Sequence, residues 1–143
     1  MSLKDRIKAL IEKEVISPGT YEAVVVQVKP VTYSSGNQGL RLSLMIRPDI
    51  EQLFQGEEVT DQVVFTENSI YRWEMIQGAL EISDNDWKED EELISLLLGK
   101  ATKIVIVHEE YQGRQMIRIK SYYAGKPIHD EFMSVLEAST IEE

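Results

Sequence analysis

Leu40, Leu42, Leu44 and Ile46 alternate with Arg41, Ser43, Met45 and Arg47. A period of two belongs to a strand with one face on a core and one in solvent. The leucines and Ile46 are expected inside, and the arginines, Ser43 and Met45 outside. Upstream, TYEAVVVQVKPVTY is rich in β-branched residues and long for one strand. Val24, Val26 and Val28 are assigned to its core face, with Tyr21, Ala23, Val25, Gln27 and Lys29 alternating. Pro30 cannot donate to a ladder and predicts a bulge or an edge there. SSGNQG (34–39) reads as a loop between these two strands. EVTDQVVFT reads as a third strand.

The period then changes. In ENSIYRWEMIQGALEI (67–82), Ile70, Trp73, Ile76, Gln77 and Leu80 recur at helical spacing. Asn68 or Ser69 is the expected N-cap. Trp73 lies on the apolar stripe and is expected to be buried. Trp87, in the acidic stretch that follows, is expected to be more exposed or packed on a partner. Glu92 to Gly99 reads as a second short helix closed by Gly99. TKIVIVHEEY and RQMIRIKSYY form a hairpin about Gln112-Gly113. At the other end, Leu3, Ile7, Leu10, Ile11 and Glu14 follow helical spacing up to Ser17-Pro18-Gly19. This N-terminal helix fits either a cap packed on the domain or a surface for dimerisation or a partner.

Three strands, a helix and two strands is the order of the oligonucleotide-binding fold. The expected class is therefore all-β: a five-stranded barrel of that type, with a helix between strands three and four and an extra N-terminal helix. A different small barrel and a split β-sandwich are the alternatives. The divisions are an N-terminal helix (1–17), the barrel domain (18–125) and an acidic C-terminal tail (126–143). The charged opening MSLKDRIKALIEKEV fits neither a secretory leader nor a membrane span.

Charge refines the picture. The 143 residues carry a net −10, which argues at first against nucleic acid. Much of the excess is local: residues 84–92 carry −5 and residues 126–143 carry −4, so the remainder has a net of only −1. A basic face on the barrel is compatible with that distribution. There is no cysteine, which removes thiolate catalysis and cysteine-ligated zinc. The two histidines, His108 and His129, have no ligand spacing, and His108 alternates with Ile104 and Ile106 as a packed residue would. No glycine-rich phosphate loop is present. The acids from Asp84 to Glu92 lack the order of a calcium loop. No enzymatic activity, metal or cofactor is expected.

Single strands are held by cations that track phosphates and by rings on which bases stack. The residues expected on the outer faces of the strands and in the loops joining strands one to two and four to five are Lys29, Tyr33, Arg41, Arg47, Tyr111, Arg114, Arg118, Lys120 and Tyr122. These form the candidate DNA-binding set. Glu109 and Glu110 count against the four–five loop as a phosphate contact.

Three strings carry a resemblance: PGTYEAVVVQVKPVTYSSGNQGLRLSLMIR, DQVVFTENSIYRWEMIQGAL and LLGKATKIVIVHEEYQGRQMIRIK. Together, over Pro18 to Tyr123, they resemble a group of small phage and prophage proteins long catalogued as a domain of unknown function. Members of that group are regarded as single-stranded-DNA-binding proteins found among replication and recombination genes. The resemblance implies a non-catalytic protein of the bacterial host cytoplasm that binds single-stranded DNA, with recombinase, helicase or other replication proteins as partners and self-association as a further option. The rival expectation is a protein-interaction module, an inhibitor or assembly factor, on the same barrel. The net charge and the N-terminal helix favour that rival. The tail ends Thr140-Ile141-Glu142-Glu143, unlike the apolar tip of the familiar bacterial single-strand binder.

Overall fold

A computed structural model describes residues 2–5, 7 and 15–128. His129 and the acidic tail beyond residue 128 lie outside the described residues. So does most of the expected N-terminal helix, including Leu10, Ile11 and Glu14. Residues 3–5 and 7 are helical, and Leu3 and Ile7 are exposed.

Five strands follow one another antiparallel: β1 (Gly19–Thr32), β2 (Gln38–Ile46), β3 (Glu58–Val64), β4 (Ala101–Tyr111) and β5 (Arg114–Ala124). Between β3 and β4 lie α1 (Ile70–Leu80), a single 3-10 turn at Asp84–Asp86, and α2 (Asp90–Leu97). The spatial order is β3-β2-β1-β4-β5. β1 is central because its length serves two partners. Gly19–Val24 pair with β4, and Ala23–Thr32 pair with β2. Pro30 lies beyond the end of the β1–β4 ladder, where β1 has β2 as its only strand neighbour. That is the edge position a proline tolerates. Gln112 and Gly113 both have positive φ (51° and 77°), the backbone of the tight hairpin turn expected there.

Two bulges decide which side chains enter the core. In β1 the pairing steps from Val25↔Leu44 to Gln27↔Ser43, leaving Val26 as the extra residue. One extra residue inverts the alternation. Tyr21, Ala23 and Val25 therefore join the core cluster before the bulge and Val28 after it; of the expected Val24, Val26 and Val28, Val24 and Val28 are buried and Val26, the bulge residue, is half-buried. In β5 the step from Val105↔Ser121 to Ile106↔Ile119 leaves Lys120 unpaired. Ile119 points inward before it, and Tyr122 rather than Ser121 points inward after it. On β2 the alternation is unbroken, and Leu40, Leu42, Leu44 and Ile46 are all buried.

The core lies between the sheet and the helices. Trp73, Ile76 and Leu80 of α1 and Leu93 and Leu97 of α2 pack with the inner strand residues. Trp73 is buried, and its ring meets Phe65 edge-on at 5.7 Å. Trp87 is half-buried against the same core. His108 is a packed residue whose Nε2–H donates to the Ile16 carbonyl at 2.7 Å, fixing the segment that enters β1.

The sheet is open. Among the described residues no ladder joins β3 to β5, so the expected closure is not made by backbone hydrogen bonds. Side chains cross the gap instead. Asp61 of β3 accepts from Arg72 Nε (3.1 Å) and Nη2 (2.8 Å) of α1 and from the Tyr122 hydroxyl (2.5 Å) of β5. Arg72 also donates to the Ile119 carbonyl of β5 and lies 5.9 Å from the Tyr122 ring centroid. No helix among the described residues is long and apolar enough to cross a membrane.

Removing one member of a buried ion pair strands its partner's charge. Arg72→Met should therefore cost about 3–5 kcal/mol in urea denaturation. Tyr122 has its pKa held well above 10.0 by burial first, then by the adjacent Asp61 charge and hydrogen bond. Its folded-state pKa is raised, so its contribution is complete below pH 10 and is lost as the pH rises past that value. The wild type should lose stability above pH 10 more steeply than Tyr122→Phe. Parallel losses in the two proteins would refute that linkage.

Candidate nucleic-acid interface

The inward leucines of β2 force Arg41 to the opposite face, where it is exposed. Arg41 pairs with Lys29 of β1 on one side and Gln62 of β3 on the other. Directly opposed residues share a face, so Lys29, Arg41 and Gln62 form one row across three strands. Gln27, Ser43 and Thr60 form the next row, with Ser43 Oγ donating to Gln27 Oε1 at 3.4 Å. Neither Lys29 nor Arg41 makes an ion pair among the described residues.

Tyr33 stands at the end of this face. Its N–H donates to the Asn37 carbonyl (2.9 Å), and Gly36 N–H donates back to the Tyr33 carbonyl (2.9 Å). This turn holds the β1–β2 loop, with Gly36 at φ +91°. The Tyr33 hydroxyl donates to Gln62 Oε1 at 2.6 Å. The ring rests against Gly39, where an added Cβ would lie 3.2 Å from the ring Cε2 and 2.3 Å from the Val63 carbonyl oxygen. Only glycine allows both approaches at once. A ring, two cations and an amide thus share one surface.

Arg47 does not belong to it. β2 ends at Ile46, and the chain turns at Pro48-Asp49, so the strand's alternation no longer directs the next side chain outward. Arg47 is 1% exposed. Its guanidinium grips Asp49 with two bonds (3.0 and 2.7 Å) and donates to the carbonyls of Lys126 (2.5 Å) and Pro127 (3.1 Å). Arg47 is a clamp tying the chain after β5 to the β2–β3 loop. Tyr122 is likewise corrected: the bulge at Lys120 turns it inward, to 3% exposure and its bond with Asp61.

The remaining candidates fall on the hairpin. Tyr111 and Arg114 are opposite each other at its tip and exposed. Lys120 is exposed at its bulge. Arg118 is half-exposed but ion-paired with Glu109. That hydrogen bond, opposed by partial burial, raises its pKa above the usual arginine value. Arg118 opens on a hollow of about 200 Å³ that it shares with Gln62, Ser69, Tyr71 and Arg72. Gln62 therefore belongs both to the cationic row and to the hollow across the open gap.

Residues 5–131 match the family described as "Protein of unknown function (DUF669)". The chain belongs to this family. No curated protein matches it. In this DUF669 protein, Gln62, Gly39 and Tyr71 are site residues that sequence reasoning passed over. Gln62 alternates with buried Val63 in EVTDQVV, so its outward direction was legible. Its place beside Arg41 required the β2–β3 register.

The two arginines of β2's pattern should separate cleanly in urea denaturation. Arg47→Ala empties a buried, charge-assisted cluster and should cost about 3 kcal/mol or more. Arg41→Ala changes an exposed side chain and should stay within about 0.5 kcal/mol of wild type. Similar midpoints for both variants would contradict the clamp.

Proposed function

We propose that this protein binds single-stranded DNA without catalysis and with little sequence preference, as a phage or prophage protein acting in replication or recombination in the bacterial cytoplasm. The observation that carries the reading is the row Lys29–Arg41–Gln62 with the Tyr33 ring at its end. Cations without ion-pair partners on an exposed sheet face suit phosphates, and an adjacent ring suits a base. Tyr111 and Arg114 supply a second ring and cation at the hairpin tip, and Lys120 adds a charge further along β5. The family resemblance of the sequence points the same way, with recombinase, helicase or other replication proteins as partners. On this reading the sheet is the barrel of the oligonucleotide-binding fold, its β3–β5 seam bridged by Asp61, Arg72 and Tyr122. Strand order and the helix between β3 and β4 support that assignment.

The second reading is a protein-interaction module. The net charge of −10 favours it.

Titration of fluorescent oligo-dT at several salt concentrations separates them. Affinity should fall with salt, with a slope of about −0.7 per phosphate neutralised. Tyr33→Ala should cost about 1–3 kcal/mol of binding, the value of one stacked base. Arg41→Glu should remove most of the affinity and leave the melting temperature nearly unchanged. A flat salt response, or equal affinity for duplex and single strand, would leave the interaction module as the function.

A further inference from the structure

A second, chemically opposite surface lies where the end of β1 and the start of β2 meet the helices. It is a groove of about 440 Å³ with walls of Phe65, Ile70, Trp73, Trp87, Leu93 and Ile94. Phe65 and Ile70 are exposed large apolar residues. Among the described residues no lysine or arginine lines the groove, and Asp90 does. Asp90, Glu91 and Glu92 form the first turn of α2, within the segment 84–92 whose net charge is −5.

Trp87 supplies a built-in reporter. Its indole Nε1–H is buried and has no hydrogen-bond partner among the described residues, while the residue itself lines the groove. The free edge of β1 contributes Pro30, Val31 and Thr32 to the groove. Pro30 has no N–H to offer, which works against an added strand. The occupant is therefore held by its side chains.

These features exclude most kinds of partner. Phosphate is repelled by the acidic rim. A second copy of this chain, at net −10, brings like charge to that rim. We propose that the groove docks a basic segment of a partner protein, whose large apolar side chains fill the groove and whose lysines or arginines meet Asp90, Glu91 and Glu92. The groove adjoins the proposed DNA face at Gly39, against which the Tyr33 ring rests, but its argument does not depend on DNA binding.

The test uses the full chain and a synthetic amphipathic peptide of lysine, leucine and phenylalanine, beside its twin with glutamate for lysine. The chain has two tryptophans, so its two indole N–H resonances can be assigned with Trp73→Phe and Trp87→Phe. The lysine peptide should shift the Trp87 resonance to saturation, and the glutamate twin should not. Asp90→Lys with Glu91→Lys should weaken the lysine peptide about tenfold or more while oligo-dT affinity does not fall. The proposal is overturned if the lysine peptide leaves the Trp87 resonance in place, if both peptides shift it equally, or if oligo-dT is what moves it. Because oligo-dT affinity is read separately, loss of DNA binding alone leaves this result standing.

Discussion

One carboxylate holds the ends of the sheet in place. Asp61 sits on β3, at one open edge, and takes three donor contacts from α1 and β5. Arg72, its main partner, also donates to the Ile119 carbonyl of the opposite edge strand. Strand edges left without a ladder carry backbone groups that must be satisfied some other way. Here an arginine from the helix does part of that work. Apolar packing alone would let α1 slide along the sheet, because the hydrophobic effect is non-directional. Hydrogen bonds with fixed geometry set its position, and with it the hollow in which Gln62 and Arg118 meet.

Three arginines with similar sequence surroundings have three different jobs. Arg41 stands on an unbroken strand and stays in solvent. Arg47 lies one residue past the strand's end and is buried as a clamp on the chain after β5. Arg72 lies on the buried side of α1 and spans the seam. Each buried guanidinium has a carboxylate partner and a carbonyl acceptor, as the low-dielectric interior demands. The consequence for function is that charge counted along the chain overstates the cations available to a ligand. Of the candidate cations, Lys29 and Arg41 on the sheet and Arg114 and Lys120 on the hairpin are left facing water. Arg118 faces water too, but shares its charge with Glu109.

The acids are segregated as well. Residues 84–92 surround Trp87 and open α2, while the cationic row crosses β1, β2 and β3. On the two proposals, opposite potentials on adjoining surfaces would let one small domain attract an anionic polymer at one place and a cationic peptide at another. The net charge of −10 therefore argues against neither proposal.

The sequence by itself determined the element order, the helix between β3 and β4, the hairpin turn, the buried face of β2, and the exposure of Lys29 and Arg41. Those follow from local rules: the side-chain period, the turn preferences of glycine and proline, and the spacing of apolar residues. Only the tertiary structure decided the rest. The bulge at Val26 lies where β1 passes from one partner to the next, the bulge at Lys120 lies on the edge strand paired with β4, and no local pattern announces either extra residue. Each inverted a face, which is why Tyr21, Ala23 and Val25 entered the core and Tyr122 left the candidate site. The burial of Arg47 and Arg72 depends on acceptors 79 and 47 residues away in the chain. The neighbours of Tyr33 depend on the β2–β3 register. Hydrogen-bond partners that distant are chosen by how the strands pack, and that choice is invisible in a window of ten residues.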